Sequence, residues 1–175
     1  MNTAGLRVAA AHFGWLERRL FEVLGGWVPS VPEPEVKVLL RAQSFEHAWH
    51  AQLWDELAPR TGPAVDSGTT ATAAGLAGVL DAVAEPVDTL ARLVGAYRVL
   101  LPRLVDAYGA VSDAAVPASD GPVVRAVALM LADDVPALED AERLIAEMSG
   151  DEAAHQRRIE GLLAEVGGVG SPETE

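Results

Sequence analysis

Five residues of this 175-residue chain have the types and spacing to do chemistry: Glu17, Glu46, His47, His50 and Asp134. Each interrupts a stripe of apolar residues recurring at steps of three and four. Glu17 follows Phe13 and Leu16 and precedes Leu20 and Leu24. Gln43, Glu46, His47 and His50 lie between Leu39–Leu40 and Leu53–Trp54, and Asp134 lies between Met130–Leu131 and Leu138. Tyr97 interrupts a further stripe, where an aromatic core residue with a paired hydroxyl is the ordinary reading. A buried carboxylate without a partner is costly and tends to take up a proton instead. Ionisable groups on core-facing stripes therefore either satisfy one another or hold a metal ion, and carboxylate oxygens with imidazole nitrogens suit iron, manganese or zinc. His50 stands one turn after both Glu46 and His47, so both pairs share one helix face.

Bringing these groups together requires long helices. Thr3 to Val28 carries one apolar stripe from Leu6 to Trp27, ended by Gly25-Gly26 and Pro29. A second segment opens at Pro34, a good first-turn residue, and ends at Pro59. A third runs from about Leu80 to Ser112, with Pro86 and Pro102 inside it, and Pro102 should kink it. Ser119-Asp120-Gly121-Pro122 signals the start of a fourth, which runs to about Met148, and a short fifth helix follows from about Asp151 to Val166. Thr61 to Gly78 is rich in Gly, Thr, Ala and Ser and reads mostly as a connection. At roughly 18 residues it is too long for a tight hairpin and long enough to run the length of a bundle. The expected fold is all-α: an antiparallel four-helix bundle with a long crossover between helices two and three. Residues 1–166 form one domain in this reading, and residues 167–175 form a disordered tail. In such a bundle the middles of the four helices, with Glu17, the Glu46–His50 group, Tyr97 and Asp134, meet at one level.

The pattern resembles the ferritin-like superfamily over about residues 5–148. Its di-iron members carry a Glu on one helix and Glu-x-x-His on the next, repeated after a long crossover. Here Glu17 stands on the first helix and Phe45-Glu46-His47-Ala48-Trp49-His50 on the second. Trp49 occupies the third place after Glu46, Tyr97 sits near where a Glu is expected, and Ala137 follows Asp134 by three. The one true Glu-x-x-His, Glu152 to His155, comes after the Gly150 break. The resemblance implies a metalloprotein, an oxidoreductase or an iron-handling protein. Glu17, Glu46 and His50 would ligate iron or manganese, with His47 or Asp134 completing the set. A metal-free scaffold or partner subunit stands beside this reading, because the family includes members that have lost their ligands. An acid–base enzyme using Glu46 and His50 without metal is a third reading, and it requires an open pocket near Tyr97.

Composition narrows the classes further. A formal net charge of −13, a pI near 4.6 and no Lys/Arg cluster argue against nucleic-acid or anionic-membrane partners. The absence of Cys excludes disulfides, thiolate nucleophiles and Cys-ligated metals. Residues Met1 to Ala11 lack a secretory layout, and no charge-free apolar run approaches about 18 residues, so a cytoplasmic protein without a membrane span is expected. Abundant Ala, Gly, Val and Arg with a single lysine, Lys37, points to a GC-rich bacterial coding sequence. Trp15, Trp27, Trp49 and Trp54 all fall in the first third. They suit core packing or a homodimer face built on the first two helices.

Overall fold

The protein is all-helical in a computed structural model that describes residues 2–60 and 71–170; no strand occurs among the described residues. Helix α1 spans Thr3–Trp27, and the Asn2 side chain caps it by accepting from the Gly5 N–H at 2.7 Å. Phe13, Leu16, Leu20 and Leu24 are at most 1% exposed along its inner face. Full burial of such side chains is worth about 1.5–3 kcal/mol each. Helix α2 spans Pro34–Leu57, with Pro34 at its first turn as its fixed φ favours. It packs along α1 and presents Val36, Leu40, Gln43, His47, His50 and Trp54 inward.

The connection expected over 61–78 is corrected in part. Residues 61–70 lie outside the described residues, but helix α3 spans Ala71–Ala84 and packs on α1. Leu76, Val79, Leu80 and Val83 are buried at helical spacing, and Ala supplies the remaining propensity. Gly75 permits a close approach, since a Cβ there would stand 2.5 Å from the Val166 side chain. The third segment expected from Leu80 to Ser112 is broken at its N-terminal end. The chain leaves the helix after Ala84, passes Pro86, and restarts as α4, Thr89–Leu93, where the Asp88 carboxylate accepts from the Ala91 N–H at 3.0 Å. Thr89 donates to Glu33 at 2.8 Å. Arg92, itself buried, donates to Ser30 and to the Pro86 carbonyl and lies over the Trp27 ring, so this break is fastened to the α1–α2 turn.

A π-helical stretch, Val94–Leu100, follows, and then helix α5, Leu101–Ala114. The Leu101 N–H reaches back five residues to the Ala96 carbonyl, immediately before Pro102. The disturbance expected of Pro102 thus coincides with a widened turn, which carries Tyr97. Helix α6 spans Pro117–Glu147 and bends at Asp120 (φ −108°, ψ 20°), so it begins a turn earlier than the Ser119–Pro122 signal. Helix α7 spans Ala153–Glu165 and packs on the π stretch and α3. Gly167 and Gly168, with φ of 79° and 88°, end it, as helix-terminating glycines do. The next residue, Val169, is buried, and its carbonyl accepts from His12 Nε2 at 2.9 Å. Of the expected tail, residues 171–175 lie outside the described residues. Helix α6 packs between α2 and α5, and the Tyr108 ring of α5 reaches Phe13 of α1. No helix among the described residues is long and apolar enough to cross a membrane.

Candidate metal centre

Three helices and the π stretch deliver ionisable side chains to one dry region. Glu17 comes from α1, His47 and His50 from α2, Tyr97 from the π stretch and Asp134 from α6; all are 4% exposed or less. Each sits on a buried stripe for the same local reason: a helix repeats its inward face every three to four residues. Gln43–His47–His50–Trp54 is one such series, and Met130–Asp134–Ala137–Ala141 is another.

Glu17 is held from two sides. His47 Nδ1 lies 2.6 Å from its Oε2, and the Tyr108 hydroxyl donates to its Oε1. Trp54 Nε1 donates in turn to the Tyr108 oxygen at 3.1 Å. His50 bridges outward and inward. Its Nε2 is 3.1 Å from Asp133 Oδ2 at the edge of the cluster, and its Nδ1 faces Glu17 Oε1 at 3.6 Å and Asp134 Oδ1 at 4.0 Å. Among the described residues, five atoms of this region are buried without a hydrogen-bond partner: His47 Nε2, His50 Nδ1, the Tyr97 hydroxyl and both Asp134 oxygens. Native interiors leave few such atoms unpaired. The Tyr97 hydroxyl thereby departs from the paired state expected of a core tyrosine.

Electrostatics follow from this packing. Burial opposes the Glu17 charge, but His47 and His50 outweigh it and hold its carboxyl down at about 2. Burial likewise opposes a charge on His50, yet Glu17, Asp134 and Asp133 raise it to about 9. His47 is raised by the same competition, with Glu17 prevailing. Burial pushes Asp134 up to about 6 against the pull of the two histidines. Burial also raises Tyr97 well above the ordinary tyrosine value, helped by the charges of Asp134 and Glu46, so its hydroxyl keeps its proton.

The structure thus brings Glu17, His47 and His50 together, with ligand-type atoms of all three within 4.8 Å of one another, and places Asp134 alongside. Glu46 is not part of this group of three: it is half-buried, accepts from the Gln43 side chain, and acts on the centre only through its charge on Tyr97. Asp133, Tyr108 and Trp54 belong to the cluster and were not singled out for it in the sequence. The signal for Tyr108 was available, because a fully buried tyrosine needs a partner for its hydroxyl. For Asp133 the only signal was adjacency to Asp134. Glu152 precedes α7 and His155 lies on it, against Gly95 of the π stretch, and neither joins the group of Glu17, His47 and His50.

The donor set fits a metal ion. Two imidazole nitrogens and a carboxylate are buried without hydrogen-bond partners, and once the imidazoles give up their second protons this is the donor chemistry that iron, manganese and zinc accept. Three surface grooves, of about 450, 400 and 290 Å3, are lined by other residues, among them Leu53 and Leu129 in the first, Val38 and Leu144 in the second, and Leu90 and Gln156 in the third. No protein-family model, curated protein or solved structure matches the chain, which leaves side-chain geometry as the ground for a functional reading.

Proposed function

We propose that this chain is a metalloprotein of ferritin-like, antiparallel four-helix-bundle type that holds a divalent transition-metal ion among Glu17, His47, His50 and Asp134. The observation that carries the reading is the set of buried atoms without a hydrogen-bond partner on His47 Nε2, His50 Nδ1 and both Asp134 oxygens. Leaving such atoms unpaired costs about 1–3 kcal/mol each, and a cation removes that cost at several of them together. Iron or manganese suits these ligands and, when bound, supplies Lewis acidity and one-electron redox capacity. The chain's own part is to exclude water, to hold both imidazoles and to keep the Tyr97 hydroxyl protonated next to the centre. Oxidoreductase chemistry or iron handling is the activity class we assign. Metal content of protein produced with added iron or manganese tests this. About one equivalent per chain, lost in His47→Ala and His50→Ala, is the expected result; metal-free protein under both conditions rejects it.

A second reading, a metal-free scaffold or partner subunit, is favoured by one observation. Glu17, His47 and Tyr108 already satisfy each other in part, and the second half of a di-iron pattern is missing at Tyr97 and Ala137. Wild-type protein that stays metal-free while co-purifying with a defined partner would select this reading.

A further inference from the structure

Resting on the metal-binding reading above, we infer that Glu17 and Asp133 are positioning residues, each fixing one histidine, and that His47 Nε2, His50 Nδ1 and Asp134 form the ligand set. The resemblance assigns Glu17 differently, as a ligand. The hydrogen bonds argue for its outer role.

An imidazole that binds a metal through one nitrogen ordinarily donates its other N–H to a carboxylate or carbonyl, which sets tautomer and ring orientation. Both histidines here show that arrangement. His47 donates from Nδ1 to Glu17 at 2.6 Å, and its Nε2 is buried and unpartnered among the described residues. His50 donates from Nε2 to Asp133 at 3.1 Å, and its buried Nδ1 has no hydrogen-bond partner among the described residues, with Glu17 Oε1 at 3.6 Å and Asp134 Oδ1 at 4.0 Å. The two carboxylates thus fix which nitrogen of each ring keeps its proton. When the second proton leaves, as ligation requires, the lone pair appears on the nitrogen without a hydrogen-bond partner, Nε2 of His47 and Nδ1 of His50.

The carboxylates differ in the same way. Each Glu17 oxygen is already engaged, Oε2 by His47 and Oε1 by Tyr108. Asp134 is 2% exposed with neither oxygen engaged, and its Oδ1 faces His50 Nδ1 at 4.0 Å. Both groups on Glu17 would have to be released for it to ligate, whereas Asp134 gains its missing partners by ligating. Two imidazoles and one carboxylate leave further positions open on a six-coordinate ion, as in mononuclear non-haem iron sites. The Tyr97 hydroxyl is also buried without a hydrogen-bond partner among the described residues, close enough to Asp134 to feel its charge.

Co2+ titration of the purified full chain, followed by its visible absorption and by affinity, tests the assignment without any activity assay. Wild-type protein should bind about one equivalent. Asp133→Ala should weaken binding about 10–100-fold, the usual cost of losing such a support, and Asp133→Asn should recover most of it because the amide oxygen still accepts from His50. Glu17→Gln should keep the wild-type band positions at lower affinity, while Asp134→Asn should lose the spectrum. The assignment is overturned if Asp133→Ala binds like wild type, or if Glu17→Gln loses the spectrum while Asp134→Asn keeps it. Wild-type protein that takes up no Co2+ rejects the metal reading itself, and this inference with it. The Asp133 side chain is 32% exposed, so its two variants keep the test decisive even where Glu17→Gln fails to fold.

Discussion

At the scale of single residues, pH is the sharpest probe of the cluster. His50 is raised from 6.5 to about 9, so the folded chain holds its proton more tightly than the unfolded chain does. That contribution to stability is complete below pH 6.5 and is lost as pH climbs to about 9. The melting temperature of metal-free protein should therefore fall across this window, and His50→Asn should flatten the fall; circular dichroism at several pH values reads both. Glu17 acts on the other limb. Its carboxyl is lowered from 4.5 to about 2, so its contribution is present above pH 4.5 and disappears as pH drops through that range. Ligation requires unprotonated imidazoles, so metal uptake should release protons and tighten as pH rises from 6.5 toward 9. Isothermal titration in buffers of different ionisation enthalpy measures the protons released. Removing Glu17 strands His47 and Tyr108 in the core. Glu17→Ala should cost about 3–5 kcal/mol in urea unfolding, the range for breaking a buried ion pair. A loss below about 1 kcal/mol, the range of exposed pairs, would contradict the buried placement.

At the scale of elements, the sequence was clearest where large apolar residues repeat. The spans of α1, α2 and α7 follow from stripes and from Pro or Gly stops. Helix α3 was hidden because its buried stripe of Leu76, Val79, Leu80 and Val83 is short and set among Ala, Gly and Thr, which mark a helix poorly until a neighbour packs on them. Gly75 shows why those residues are small: Val166 of the segment after α7 occupies the space beside it. Gly75→Leu should destabilise by about 1–3 kcal/mol through overpacking, whereas the same change at Gly78, which has nothing within 4 Å, should be near neutral or stabilising. Thermal melts of the pair separate a packing effect from a propensity effect. The π stretch before Pro102 was foreshadowed only as a disturbance. Which side chain the wider turn would carry depended on register, and register placed Tyr97 inside.

At the scale of the whole molecule, binding of a metal ion at this cluster would be coupled to folding. An ion that binds only the folded chain adds about 2.7 kcal/mol of stability at a concentration of 100 Kd. Melting temperature should thus rise with added Mn2+ or Co2+ in wild type and stay level in His47→Ala. Association belongs to this scale too. Trp27 and Trp54 are buried and Trp15 is half-buried, so the homodimer face expected on helices one and two is left to Trp49, 37% exposed, with Phe45 at 75% and Val38 at 70%. If that face pairs two copies, Phe45→Asp should convert a dimer to a monomer in light scattering; a wild-type monomer at high concentration would rule it out. The sequence by itself determined the all-helical class, the inward placement of Glu17, His47, His50 and Asp134, and the exclusion of thiolate chemistry, because helical periodicity and residue type are local properties. Only the tertiary structure decided which lone pairs are spent and which stay free. Glu17 meets Tyr108 across 91 positions and His50 meets Asp133 across 83. No local pattern encodes a hydrogen bond between groups so far apart in the chain; it exists only once packing has chosen the rotation of each helix.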